Sequence, residues 1–182
     1  TEGGNVSLGY DGRSLSNKLT VIGSAKITDN LDAKGSYYMV AGLRSNQLLT
    51  SSADNTIQLA DKDDPNNWWD AANYKFQPDV AGYYFVSTLV HFSLSGATNT
   101  SVQCNLQILK NNTTVGVNQV LINQPTVSIN LSRSQTLTAI VYLNGSSDFI
   151  KITGYTDNAA SEVNLTGDTN QVWTKMEAYK LN

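Results

Sequence analysis

The 182-residue sequence predicts an all-β protein: a short extended β-segment followed by a β-sandwich of the jelly-roll kind. Three observations carry this. Short runs with a period of two recur along the chain, separated by turn-forming clusters. No segment sustains a helical period. Only 15% of the residues are charged and 40% are hydrophobic. Asn, Thr, Ser and Gly fill the difference, and they disfavour helix interiors or suit a pleated sheet.

The first 35 residues read apart from the rest. In "NKLTVIGSAKITDNLDAKG" the odd positions Leu19, Val21, Gly23, Ala25 and Ile27 are apolar or small, and Leu31, Ala33 and Gly35 resume the pattern. Burying so few small side chains does not offset the entropy of ordering the strand, so the segment needs partners. Identical chains around a shared axis are the simplest ones. The plain alternative is an edge strand of the main domain. Residues 1–35 are accordingly expected to be an extended β-shaft that anchors and trimerises, and residues 36–182 a jelly-roll head.

From Ser36 onward the strand candidates are "SYYMVAGL", "TIQLAD", "YKFQPD", "GYYFVSTLVHF", "SVQCNLQILK", "TTVGVNQVLI", "TLTAIVYL", "DFIKITGY" and "QVWTKMEAYKL". Between them lie "DDPNN", "SGATN", "KNN", "NGSS" and "LTGDTN", which are turn compositions. Many strands at short spacing imply a sandwich or jelly roll.

Two of these strands lack a polar face. In "GYYFVSTLVHF" one side carries Tyr84, Val86, Thr88, Val90 and Phe92, the other Tyr83, Phe85, Ser87, Leu89 and His91. In "TLTAIVYL", Leu137, Ala139, Val141 and Leu143 share a face, yet Ile140 and Tyr142 lie opposite. A strand with one face in water should alternate cleanly. With no helix to cover the second face, a neighbouring copy is the expected cover, which makes Tyr83, Phe85, Leu89, Ile140 and Tyr142 trimer-interface candidates together with Leu19, Val21 and Ile27.

The order of segments resembles the globular head of the complement q subcomponent, one of the tumour-necrosis-factor-like jelly rolls. "KFQPDVAGYYFVSTLVHF" is similar to that family's Phe-x-Pro…Gly-x-Tyr-x-Phe stretch, and "NLQILKNNTTV" to its strand, Lys-Asn turn and strand. "QTLTAIVYLNGSSDFIKITGY" resembles its Leu-x-Leu-x-x-Gly-Asp-x-Val pair, with Asp148 in the Asp position after a longer turn. "QVWTKMEAYKL" is similar to its closing strand, without the usual Phe-Ser-Gly-Phe. No collagen repeat precedes the head. Instead "LTVIGSAKITDNLDAKG" resembles the β-repeats of bacteriophage fibre shafts. The resemblance implies a trimeric phage fibre, head fibre or capsid-decorating knob. The alternative is a secreted lectin-like module of the same head family.

Cys104, on a face with Val102, Leu106 and Ile108, reads as a core side chain. His91, the single histidine, stands mid-strand, a poor place for a catalytic base. Asp61, Asp63, Asp64, Asp148, Asp157 and Asp168 read as turn residues, where Asp is expected for backbone reasons. No enzyme is therefore expected, a glycan-cleaving hydrolase being the reading set aside. No cofactor is expected either. Some heads of the resembled family hold calcium, but "DKDDPNN" lacks the ligand spacing of a calcium loop and reads as a solvated turn. Net charge −3 gives no footprint for nucleic acid, and no apolar run is long enough for membrane insertion.

For binding, "NNWWDAANY" offers Trp68 and Trp69, which point to opposite sides if extended, so that one could form an aromatic platform for a sugar. The bland reading packs one into the sandwich and the other on a neighbour. The resemblance further brings three loops to the end remote from the shaft, about 93–101, 123–134 and 156–170. Asn99, Arg133, Tyr155, Asp157, Asn158, Asn164 and Asp168 are their receptor or glycan candidates. The expected partners are the chain itself, other virion proteins through the N-terminal segment, and a host cell-surface glycan or protein. The expected location is the virion surface.

Overall fold

The computed structural model describes residues 37–95, 101–123, 131–157 and 162–181. Thr1–Ala33 and Lys34–Asn182 form separate units. The shaft candidates Leu19, Val21 and Ile27 lie outside the described residues, as do Asn99 and Asn158.

The head is all-β, a jelly-roll sandwich of two antiparallel sheets. The strands are β1 (Tyr38–Gly42), β2 (Gln47–Leu48), β3 (Asn55–Thr56), β4 (Ala60–Asp63), β5 (Trp69–Asp70), β6 (Lys75–Phe76) and β7 (Gly82–Ser95). They continue with β8 (Ser101–Lys110), β9 (Thr113–Asn123), β10 (Leu131–Leu143), β11 (Ile150–Thr156), β12 (Glu162–Leu165) and β13 (Lys175–Lys180). One sheet runs β2-β12-β7-β13-β1-β4, with β10 on the other side of β7. The second runs β5-β6-β11-β8-β9, with β3 also on β11.

Alternation builds the core. Tyr84, Val86, Val90 and Phe92 of β7 are fully buried, and so are Val102, Cys104, Leu106 and Ile108 of β8 facing them. At one end Trp68, Phe76 and Tyr84 pack edge to face at 5.5–6.0 Å between centroids, with Tyr37 stacked on Trp68. Aromatic pairs favour this offset geometry because ring edges are positive and ring faces negative. The Tyr84 hydroxyl donates to the Val80 carbonyl at 2.7 Å.

Two turns follow their chemistry. Asn111 and Asn112 both take positive φ, 50° and 66°, which closes the tight hairpin between β8 and β9. Asn144 accepts from the backbone N–H of Ser146, Ser147 and Asp148, wrapping the longer turn before β11. Asp148 then accepts from Asn111 and pairs with Lys110 at 2.9 Å, tying that turn to the hairpin. These contacts hold its carboxyl below its ordinary value, the Asn111 hydrogen bond being the main cause.

The structure departs from the sequence reading in four places. Asp61 and Asp63, read as turn residues, lie on β4 opposite Ala41 and Val40 of β1. "TIQLAD" is not one strand. Thr56 ends β3 on one sheet and Ala60 begins β4 on the other, and Ile57 and Leu59 fill the interior where the chain crosses. β12 lies in what read as an apical loop, with Val163 and Leu165 buried. Trp68 and Trp69 are both inside, 4% and 8% exposed, so neither offers a ring face to a ligand. Trp69 lies opposite the buried Phe76 and shares its inward face. Trp68 stands before the strand, after Asn67 at φ 57°, where alternation does not apply, and its indole N–H donates to Asp79 at 2.6 Å.

Candidate interaction surface

The outward face of the seven-stranded sheet is where the second apolar sides of β7 and β10 emerge. Register places Tyr83 opposite Tyr142 and Phe85 opposite Ile140, while Tyr179 of β13 flanks Phe85 on its other side. Tyr38 of β1 lies opposite Tyr179. The result is one patch across four strands. Tyr83 is 58% exposed and Ile140 65%, Tyr142 and Tyr179 are also exposed, and Phe85 is half-buried. Tyr83 and Tyr142 meet edge to face at 5.4 Å, and Tyr38 and Tyr179 stack at 6.1 Å. The rings are therefore held by one another rather than by the core.

Further along the same face the surface turns polar. Leu89 is half-buried, opposite Thr136 and Lys175, and Lys175 pairs with Glu177. Beyond them His91 Nδ1 and Ser134 Oγ lie 2.9 Å apart, and exposed Trp173 lies 5.1 Å from the imidazole. Trp173, not Trp68 or Trp69, is the exposed tryptophan of the described head. A second apolar stripe, Val115, Val117 and Leu121, is exposed on β9, the edge of the other sheet.

The described loop candidates are not brought together. Tyr155 is on β11 in the six-stranded sheet and Asn164 on β12 in the seven-stranded one, both half-buried. The Asp157 carboxylate accepts the Gln103 N–H at 2.8 Å, and that of Asp168 accepts the Asn170 N–H at 2.6 Å, so both fasten turns. Arg133 is exposed near the start of β10, its guanidinium on the Ser132 carbonyl. Cys104 is enclosed by the core, and burial first, then the charge of Asp157, pushes its thiol up to about 12.

No family model matches the chain, and no curated protein matches it significantly. Among solved structures it is similar to Eiger TNF from S. frugiperda, with a TM-score of 0.55 at 12% sequence identity. The match covers 82% of this chain and 94% of that one. At this identity the likeness carries the fold, a tumour-necrosis-factor-like jelly roll.

Proposed function

We propose that the chain is a non-enzymatic virion appendage, a phage fibre or capsid-decorating knob whose homotrimeric head attaches to the host surface. The observation behind this is the aromatic patch on the outward face of the seven-stranded sheet. Each aromatic side chain presents about 150–250 Å². Three exposed tyrosines with Ile140 then leave roughly 400 Å² of largely apolar surface open, as large as the patches monomers reserve for partners.

The apolar stripe on β9 supplies a counterpart. One copy's sheet face set against the next copy's β9–β10 flank is a head-to-tail contact, which is self-limiting when the rotation closes a ring. Three heads then act together, so that contacts weak in one copy become firm by avidity. The N-terminal segment would join the head to other virion proteins. A host glycan or protein would be the external partner, and no metal or organic cofactor is needed for display.

Light scattering on the full chain and on residues 36–182 tests assembly, and retention of the fluorescently labelled chain on host cells tests attachment. Trimers of both the full chain and residues 36–182, with retention weakened when the trimer is broken, support the reading. A monomer at micromolar concentration would overturn it.

A further inference from the structure

We propose that the flank of the head around Arg44 is a binding groove for an acidic oligosaccharide. This rests on the attachment reading and moves recognition away from the apical loops. Two open clefts of about 570 and 530 Å³ meet at Arg44. Leu48, Gln58 and Tyr74 line the first, and Lys62 and Val172 the second. An open trough with a cation at its waist suits a chain-like ligand better than a compact one.

The groove has uncommitted donors. Arg44 reaches one protein acceptor, the Asp61 carbonyl, at 3.4 Å, and Lys62 reaches the Asn170 carbonyl at 2.7 Å. Neither forms an ion pair among the described residues. The Gln58 amide and the Tyr74 hydroxyl make no hydrogen bond among those residues. Among the lining side chains Asp61 stands against Arg44 and Lys62, and the Asp168 carboxylate behind them is held by the Asn170 and Val172 N–H groups, so the cations are offered at the surface of a locally balanced site.

The frame beneath these donors is fixed. Gln47 accepts the Gln58 N–H at 2.9 Å and donates to the Thr56 carbonyl at 2.8 Å, bridging the floor of the first cleft. In the second, the Asp168 carboxylate holds Asn170 and Val172, and Gln171 sits at φ 57° against Gly42, where a Cβ would collide with it. A preformed frame spares the ligand the cost of ordering it.

The chemistry selects the class. A planar guanidinium takes a carboxylate through two parallel hydrogen bonds. The free amide and phenol suit sugar hydroxyls, and exposed Leu48 and Val172 suit the C–H face of a pyranose. A peptide adding as a strand finds Thr56 O and Gln58 N already bonded to Gln47.

The full chain is tested on a printed array of uronate-bearing, sialylated and neutral oligosaccharides, as wild type, Arg44→Ala, Gln58→Ala and Arg133→Ala. Solution mass and circular dichroism check each variant's fold. Acidic sugars are expected to be retained by the wild type and by Arg133→Ala, at least tenfold less by Arg44→Ala, and several-fold less by Gln58→Ala. Equal retention by Arg44→Ala, retention of neutral sugars alone, or retention of none overturns the groove. Whole host cells separate the two readings. Cells bound with no sugar retained leave attachment standing on a protein receptor, whereas neither bound removes both.

Discussion

Replacing Ile140 by Asp puts a charge in the middle of the outward patch, where the side chain is 65% exposed and opposite Phe85. The isolated head should barely notice, because surface substitutions cost within about 0.5 kcal/mol. Assembly should notice strongly. Burying an Ile side chain fully is worth about 1.5–3 kcal/mol, so covering the exposed two-thirds is worth about 1–2. Three copies lose about 3–6 kcal/mol per trimer, before any cost of desolvating the carboxylate. Since 1.4 kcal/mol is tenfold and the trimer midpoint concentration follows the square root of the constant, the midpoint should rise roughly ten- to a hundredfold. Sedimentation over a concentration series reads the midpoint, and a urea melt of the dilute monomer reads the fold. An unchanged midpoint with an unchanged melt would refute the claim that this face is buried between copies. A melt weakened by several kcal/mol would show instead that Ile140 supports the head itself.

Four further outcomes follow from the interior. Phe76→Ala removes the ring shared by Trp68 and Tyr84 and should cost about 3–5 kcal/mol in chemical denaturation; a loss under 1 would mean that the cluster collapses to fill the space. Gly145→Ala forces a side chain onto a residue at φ 69° whose Cβ would strike the backbone of Ala81. It should destabilise by more than the roughly 1–2 kcal/mol of left-handed strain alone, and a neutral effect in a thermal melt would contradict the turn geometry. Asp148 has a folded pKa below its ordinary 3.8, so its contribution is whole above that value and fades as pH falls through the folded one. Asp148→Asn should lower the melting temperature at pH 7 and flatten its fall below about pH 4, and an unaltered acid limb would count against the Asn111 and Lys110 contacts. With its pKa near 12, the Cys104 thiol should be about one part in ten thousand ionised at pH 8. Iodoacetamide should then label it only in urea, and labelling of the folded chain would show the core to be open.

The sequence by itself determined most of the strands and, where one side is polar, which side faces inward. In β8 a period of two leaves no choice of face, since Val102, Cys104, Leu106 and Ile108 share one side and polar residues most of the other. In β7 periodicity separates two apolar faces, and packing decides that Tyr84, Val86, Val90 and Phe92 are the inner one. The Asn pair of the β8–β9 hairpin was equally legible, because few residues accept positive φ there. The outward apolar side of β7 and β10 was visible too, since a polar face was missing. Tertiary structure decided what periodicity does not encode. Ile57 and Leu59 look like one strand with Thr56, and only the position of the two sheets makes the chain cross between them. Adjacent tryptophans would point apart in an extended chain, but the turn ending at Asn67 releases Trp68 from that rule, and both rings go inside. The Arg44 groove joins side chains from residues 44 to 172. No local pattern marks such a site, because what makes it is the absence of partners for donors that only folding brings together.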